Sequence, residues 1–164
     1  MACAPTKSSR CATNKLASLL AAAWLGQLLA VALMAAPNAF ATLARPEAGA
    51  YVGRLFLLDA RTSLVLGVLL LLIEQRRQRE AHPERLRFGA RLCWPIAALF
   101  FTVLGFDGLR PAMEAARAGQ GPASFALLHG LSMACFAAKI ACVAALAWAS
   151  LTSSSSSGAA PSRA

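Results

Sequence analysis

The sequence predicts an all-α integral membrane protein, a four-helix bundle with a short interfacial helix after the first span. Three features carry that expectation. Hydrophobic residues make up 58% of the 164-residue chain and charged residues only 14%, with a mean hydropathy of +0.57. A soluble domain of this size has too little interior to hide so many apolar side chains. The apolar residues fall in four blocks, separated by charged or Pro- and Gly-containing segments. The basic residues, which set a net charge of +9, gather at the ends of those blocks, as topology signals and anionic-lipid contacts do. A bundle of this length leaves room for one domain.

Residues 1–15 form a basic flank with Lys7, Arg10 and Lys15 and no acid. The first span, about 16–36, is 21 residues without a charge. Within it Ala22, Gly26 and Ala30 recur every four residues, a small-xxx-small ridge of the kind that lets helices approach closely. Ala39-Phe40-Ala41 after a basic flank and an apolar run also fits a cleaved secretory signal. The run is long for a signal, Pro37 ends it early, and three spans follow, so the retained span is the expected reading. Residues 37–54, with Pro46, Gly49, Tyr51 and Gly53, read as a connection holding a short helix in the headgroup zone.

The second span, about 55–73, is interrupted by Asp59 and Arg61, leaving only Thr62–Ile73 free of charge. Twelve residues are too few to cross a bilayer. The two side chains therefore either snorkel toward the surface or pair inside the bundle with Lys139 or His129. Ser63 and Gly67 add a further small-residue step. Residues 74–91 hold Arg76, Arg77, Arg79, Arg85, Arg87 and Arg91 around Pro83, a solvated loop suited to anionic lipid. The third span, about 92–109, has Trp94 at its basic end, Pro95 in its first turn, Asp107 near its far end and Pro111 as a stop.

The fourth span, about 125–151, carries the most informative polar residues. Lys139 lies near its middle, where a lysine costs about 2.5–3.5 kcal/mol on insertion scales. On a helical wheel His129, Ser132, Phe136 and Lys139 fall within an arc of about 80°, a polar stripe that points into a bundle. Ala137, Ala141 and Ala145 form a second smooth packing ridge. Residues 152–164, with five consecutive serines, read as a disordered tail. The candidate intramembrane polar site is thus His129, Ser132, Lys139, Asp59, Arg61 and Asp107.

Orientation follows from the basic residues. Lys7, Arg10, Lys15, the six loop arginines and Arg163 lie on one side, against Arg45, Arg54, Arg110 and Arg117 on the other. The richer side marks the cytoplasm, which places both termini there.

Short motifs then point to a family. Ala36-Pro37-x-x-Phe40-x-x-Leu43, Ala48-Gly49-x-x-x-Gly53-x-Leu55-Phe56 and Phe125-x-x-Leu128-His129-x-x-Ser132 resemble the domain of unknown function 4149 family, which is similar to transmembrane protein 205 of mammals. The likeness spans residues 16–150. It implies a four-helix protein of a bacterial inner membrane without an established enzymatic activity, with His129 and Ser132 in its last-helix motif. Lys139, Asp59 and Arg61 match no part of the family pattern. A distant likeness to the copper resistance D family implies an intramembrane histidine.

The chain contains no P-loop, G-x-S-x-G, H-E-x-x-H or dinucleotide fingerprint, so a non-enzymatic role is expected. One tyrosine and no aromatic–basic interleaving argue against nucleic acid. Five cysteines without framework spacing argue against a disulfide scaffold. The first expectation is an accessory or scaffolding subunit, forming a homo-oligomer or joining a larger membrane complex through its Ala/Gly ridges. The alternatives are an oligomeric transport or permeation element using the intramembrane His, Lys and Asp, and a copper- or haem-binding protein with His129 and Cys135 as ligands, aided by Met133 or Cys142.

Overall fold

The computed structural model describes residues 7–81, 90–121 and 123–156. Helix α1 (Lys7–Ala30) runs through a π-helical turn (Val31–Ala35) into α2 (Ala36–Thr42). The chain breaks at Leu43, in extended backbone, and re-enters as α3 (Arg45–Ala81). Helix α4 (Ala90–Val103) likewise passes through a π-helical turn (Leu104–Gly108) into α5 (Leu109–Arg117), and α6 spans Phe125–Ser156. Among the described residues four helical stretches are long and apolar enough to cross a membrane: Ala12–Thr42, Arg45–Glu80, Arg91–Arg117 and Phe125–Thr152. The protein is an all-α, multi-pass membrane bundle.

The helices outrun the predicted spans, and proline explains why. Pro37 and Pro111 do not stop their helices, as the sequence alone suggests. A proline clashes with the carbonyl four residues earlier, here that of Leu33 and of Asp107. Both carbonyls lie inside the π-helical turns, whose wider winding absorbs the misfit. The helix after the first span is accordingly α2, continuous with α1. Residues 45–54, read as part of the interfacial connection, are instead the opening turns of α3. Pro95 lies more than one turn inside α4, because that helix already begins at Ala90. The start of α4 is anchored where the Arg91 guanidinium donates to the Ala149 carbonyl of α6 at 2.9 Å. The predicted tail also needs correction: residues 152–156 continue α6, and the remainder lies outside the described residues. Arg85, Arg87, Cys3 and Arg163 lie outside them too.

Going round the bundle the order is α1, α6, α4, α3, each helix packing on its two neighbours. The diagonal partners, α1 with α4 and α3 with α6, have no close backbone contact. The apolar core joins Ala17, Ala21, Trp24 and Leu28 of α1 to Leu70, Ala98, Val143 and Leu146 of the other three helices. It fills the half of the bundle nearer the Arg-rich 74–91 segment. Of the described glycines, Gly67 of α3 has the most crowded surroundings. A Cβ there would stand 2.6 Å from Leu99 Cδ2 and 3.2 Å from the Trp24 ring. Of the small-residue ridges, this one packs within the chain. Ala22, Gly26 and Ala30, and on α6 Ala137 and Ala141, face outward, while Ala145 is half-buried. Within the single chain the large side chains Trp24 and Leu28 fill the space between the helices.

Candidate functional site

The centre of the bundle, above the apolar core, is polar. Lys139 Nζ of α6 stands 2.5 Å from Asp59 Oδ2 of α3, with side chains 4% and 2% exposed. The pair crosses the α3–α6 diagonal, where backbones stay apart and long side chains span the gap. Lys139 also reaches Ser63 Oγ at 3.3 Å, and its ammonium lies 4.7 Å from the centre of the Phe136 ring. Helix α1 completes the network. Trp24 Nε1 donates to Ser63 Oγ at 3.0 Å, and Gln27 Nε2 donates to Asp59 Oδ1 at 3.1 Å and Thr62 Oγ1 at 2.5 Å. Each carboxylate oxygen of Asp59 therefore accepts a hydrogen bond. A buried ion pair is tolerable only when its remaining lone pairs and protons are satisfied in this way.

This pair floors a cavity of about 420 Å³ between α3, α4–α5 and α6. The volume lies in the range of small-molecule sites. Its walls are apolar, with Phe56, Phe101, Phe106, Phe136 and Met133. Arg54, Arg110, Arg117 and His129 line it nearer its mouth, at the end of the bundle remote from the Arg-rich segment. Ten residues of α6 separate His129 from Lys139, so the cavity is about 15 Å deep. The mouth is held by aromatic contacts. Arg117 lies over the Phe125 ring at 4.6 Å, and that ring stacks on His129 at 5.7 Å. Arg110 lies over Phe106 at 5.0 Å and pairs with Glu114 at 2.9 Å.

Of the six sequence-predicted polar residues, the fold brings four together. Asp59 and Lys139 pair at the floor; Ser132 and His129 line the path to the mouth. Arg61 and Asp107 are exposed and line no part of the cavity. Two residues after Asp59 and after Gly105, they point away from the bundle interior, since each step along a helix turns about 100°. His129 and Cys135 do not converge: His129 is exposed at the mouth, whereas Cys135 is buried against Gly105. Among the described residues no three His, Cys, Asp or Glu side chains gather as a metal would need. Sequence reasoning missed Gln27, Trp24, Arg54, Arg110 and Arg117. Gln27 carried a signal, as the one amide in the charge-free 16–36 run.

These features define a multi-pass membrane protein with a satisfied ion pair inside its bundle. Residues 19–122 match the domain-of-unknown-function family DUF4149, and the chain belongs to that family. The matched segment runs from α1 past the end of α5. It ends before α6, so Asp59 lies within it and Lys139, His129 and Ser132 beyond it. No curated protein and no solved structure matches the chain.

Proposed function

We propose that this protein is a non-enzymatic binding and permeation element of a bacterial inner membrane, taking a small amphipathic anion from the extracytoplasmic side. The observation that supports it is the cavity floored by the Lys139–Asp59 pair. Apolar walls suit the body of such a molecule. Inside the cavity Arg110 is matched by Glu114 and Lys139 by Asp59, which leaves Arg54 and Arg117 without an acidic partner among the described residues. The lining therefore carries surplus positive charge at the mouth, which attracts and orients an anion. The floor pair closes the route to the apolar core and acts as the gate: passage requires Lys139 to exchange Asp59 for the anion. With the Arg-rich end in the cytoplasm by the positive-inside rule, both termini lie there and the mouth faces out.

The test is uptake of a radiolabelled aryl sulfonate, permanently charged, into liposomes bearing the purified protein. Saturable uptake faster than in protein-free liposomes is expected, weakened when Arg54→Gln and Arg117→Gln are combined and abolished by Lys139→Met. Equal rates with and without protein would sink the reading. The scaffolding role keeps one specific support: the Ala22–Gly26–Ala30 and Ala137–Ala141 ridges face outward, where a larger membrane partner could pack. In that case the protein passes no anion, and a stable partner is retained through purification in mild detergent.

A further inference from the structure

Arg61 and Asp107 lie within membrane-spanning helices, are exposed, and make no ion pair or hydrogen bond among the described residues. A charged side chain turned toward lipid at that depth is costly and needs a partner. The two bear opposite charge, yet each stands alone in a single chain.

Their placement says what the partner is. Helices α3 and α4 are neighbours and run antiparallel, with Gly67 level with Leu99. Arg61 lies six residues from Gly67 and Asp107 eight from Leu99, both toward the cavity mouth. At about 1.5 Å per residue the two charges sit within about 3 Å of one depth. Both border the outer face that α3 and α4 share. Asp59 points to the bundle centre, so Arg61 points away from it; Gly105 faces α6, so Asp107 points away from α6. Each charge also continues an exposed apolar stripe with alternating steps of three and four. On α3 the stripe includes Leu58 and Val65 with Leu72 a heptad further on, and on α4 it is Ile96, Phe100 and Val103.

We infer that the α3–α4 face is the interface of a two-fold dimer of this chain, closed by Arg61 of each copy on Asp107 of the other. A two-fold axis along the membrane normal preserves depth and sets α3 of one copy against α4 of its partner. It therefore satisfies both pairs at once, as an isologous interface must. The apolar stripes flank the pairs and exclude lipid headgroups and water from them.

The test uses fluorescence energy transfer between labelled full-length copies in zwitterionic liposomes, diluted with lipid. Wild type is expected to give a dimer. Arg61→Asp makes a face with acidic groups only, and Asp107→Arg a face with basic groups only. Each variant alone should lose association by roughly a hundredfold or more, since like charges then meet across the face. Mixed together, the two variants should associate with each other as wild type does, because every charge again meets its opposite. That heterodimer also shows that both variants fold. Wild type that stays monomeric, single variants that dimerise normally, or a mixture that fails to associate each overturns the inference. A monomer in which Arg61 reaches a lipid phosphate is one such outcome.

Discussion

Removing the Asp59 carboxylate charge tests the intramembrane pair most directly. In Asp59→Asn, Lys139 stays buried and loses its counter-charge. Breaking a buried pair in this way costs about 3–5 kcal/mol. Two contacts survive, the Ser63 hydroxyl and the Phe136 ring, which places the expected loss at the lower end, about 3 kcal/mol. Lys139→Met leaves Asp59 with only the Gln27 amide and should cost a comparable amount. The double variant buries neither charge. Replacing both partners of a buried pair is often neutral or stabilising, so it should recover to within about 1 kcal/mol of wild type. The coupling energy from reversible unfolding in mixed micelles should therefore be about 5 kcal/mol, against about 0.3–0.5 kcal/mol for independent sites. Single variants whose effects simply add would refute the reasoning: Lys139 would then be reaching water or lipid headgroups in the membrane rather than Asp59.

Gly67→Ala drives a methyl into Leu99 and should destabilise by about 1–3 kcal/mol, while Gly26→Ala, which meets open space, should leave stability unchanged; thermal unfolding in one detergent compares the two. Trp24→Phe keeps most of the ring but removes one of the two donors to Ser63 Oγ, leaving Lys139, for a loss of about 1 kcal/mol in the same measurement, and it should leave the dimer of the α3–α4 face intact. A chain lacking residues 1–41 forfeits Trp24, Leu28 and Gln27 and should not yield a monodisperse protein in detergent.

The places where sequence and structure part have physical causes. Pro37 and Pro111 read as helix stops because proline removes a hydrogen bond and crowds a carbonyl; a π-helical turn upstream relieves the crowding, and nothing local in the sequence announces it. The Ala/Gly ridges read as packing surfaces because small residues permit close approach, but which of them pack inside the single chain is decided by the fold. The bundle closed on Trp24, Leu28 and Gly67, and turned Ala22, Gly26 and Ala137 outward. Lys139 was legible as a charge in need of a partner; for Asp59 snorkelling toward the surface was the simpler reading and pairing with Lys139 the sharper one. Their partnership depended on which helices became diagonal neighbours.

The sequence by itself determined the class. In a bilayer every backbone polar group must be satisfied within its own segment, so apolar blocks of this length become helices whatever their surroundings, and their number and basic flanks read directly. Only the tertiary structure decided which face of each helix turned inward. With side chains and lipid tails almost equally apolar, that choice rests on shape and a few polar contacts between residues far apart in the chain. Asp59 and Lys139 meet across 80 residues of sequence, Trp24 and Ser63 across 39, and Arg61 and Asp107, identical in kind to the eye reading along the chain, were left outside.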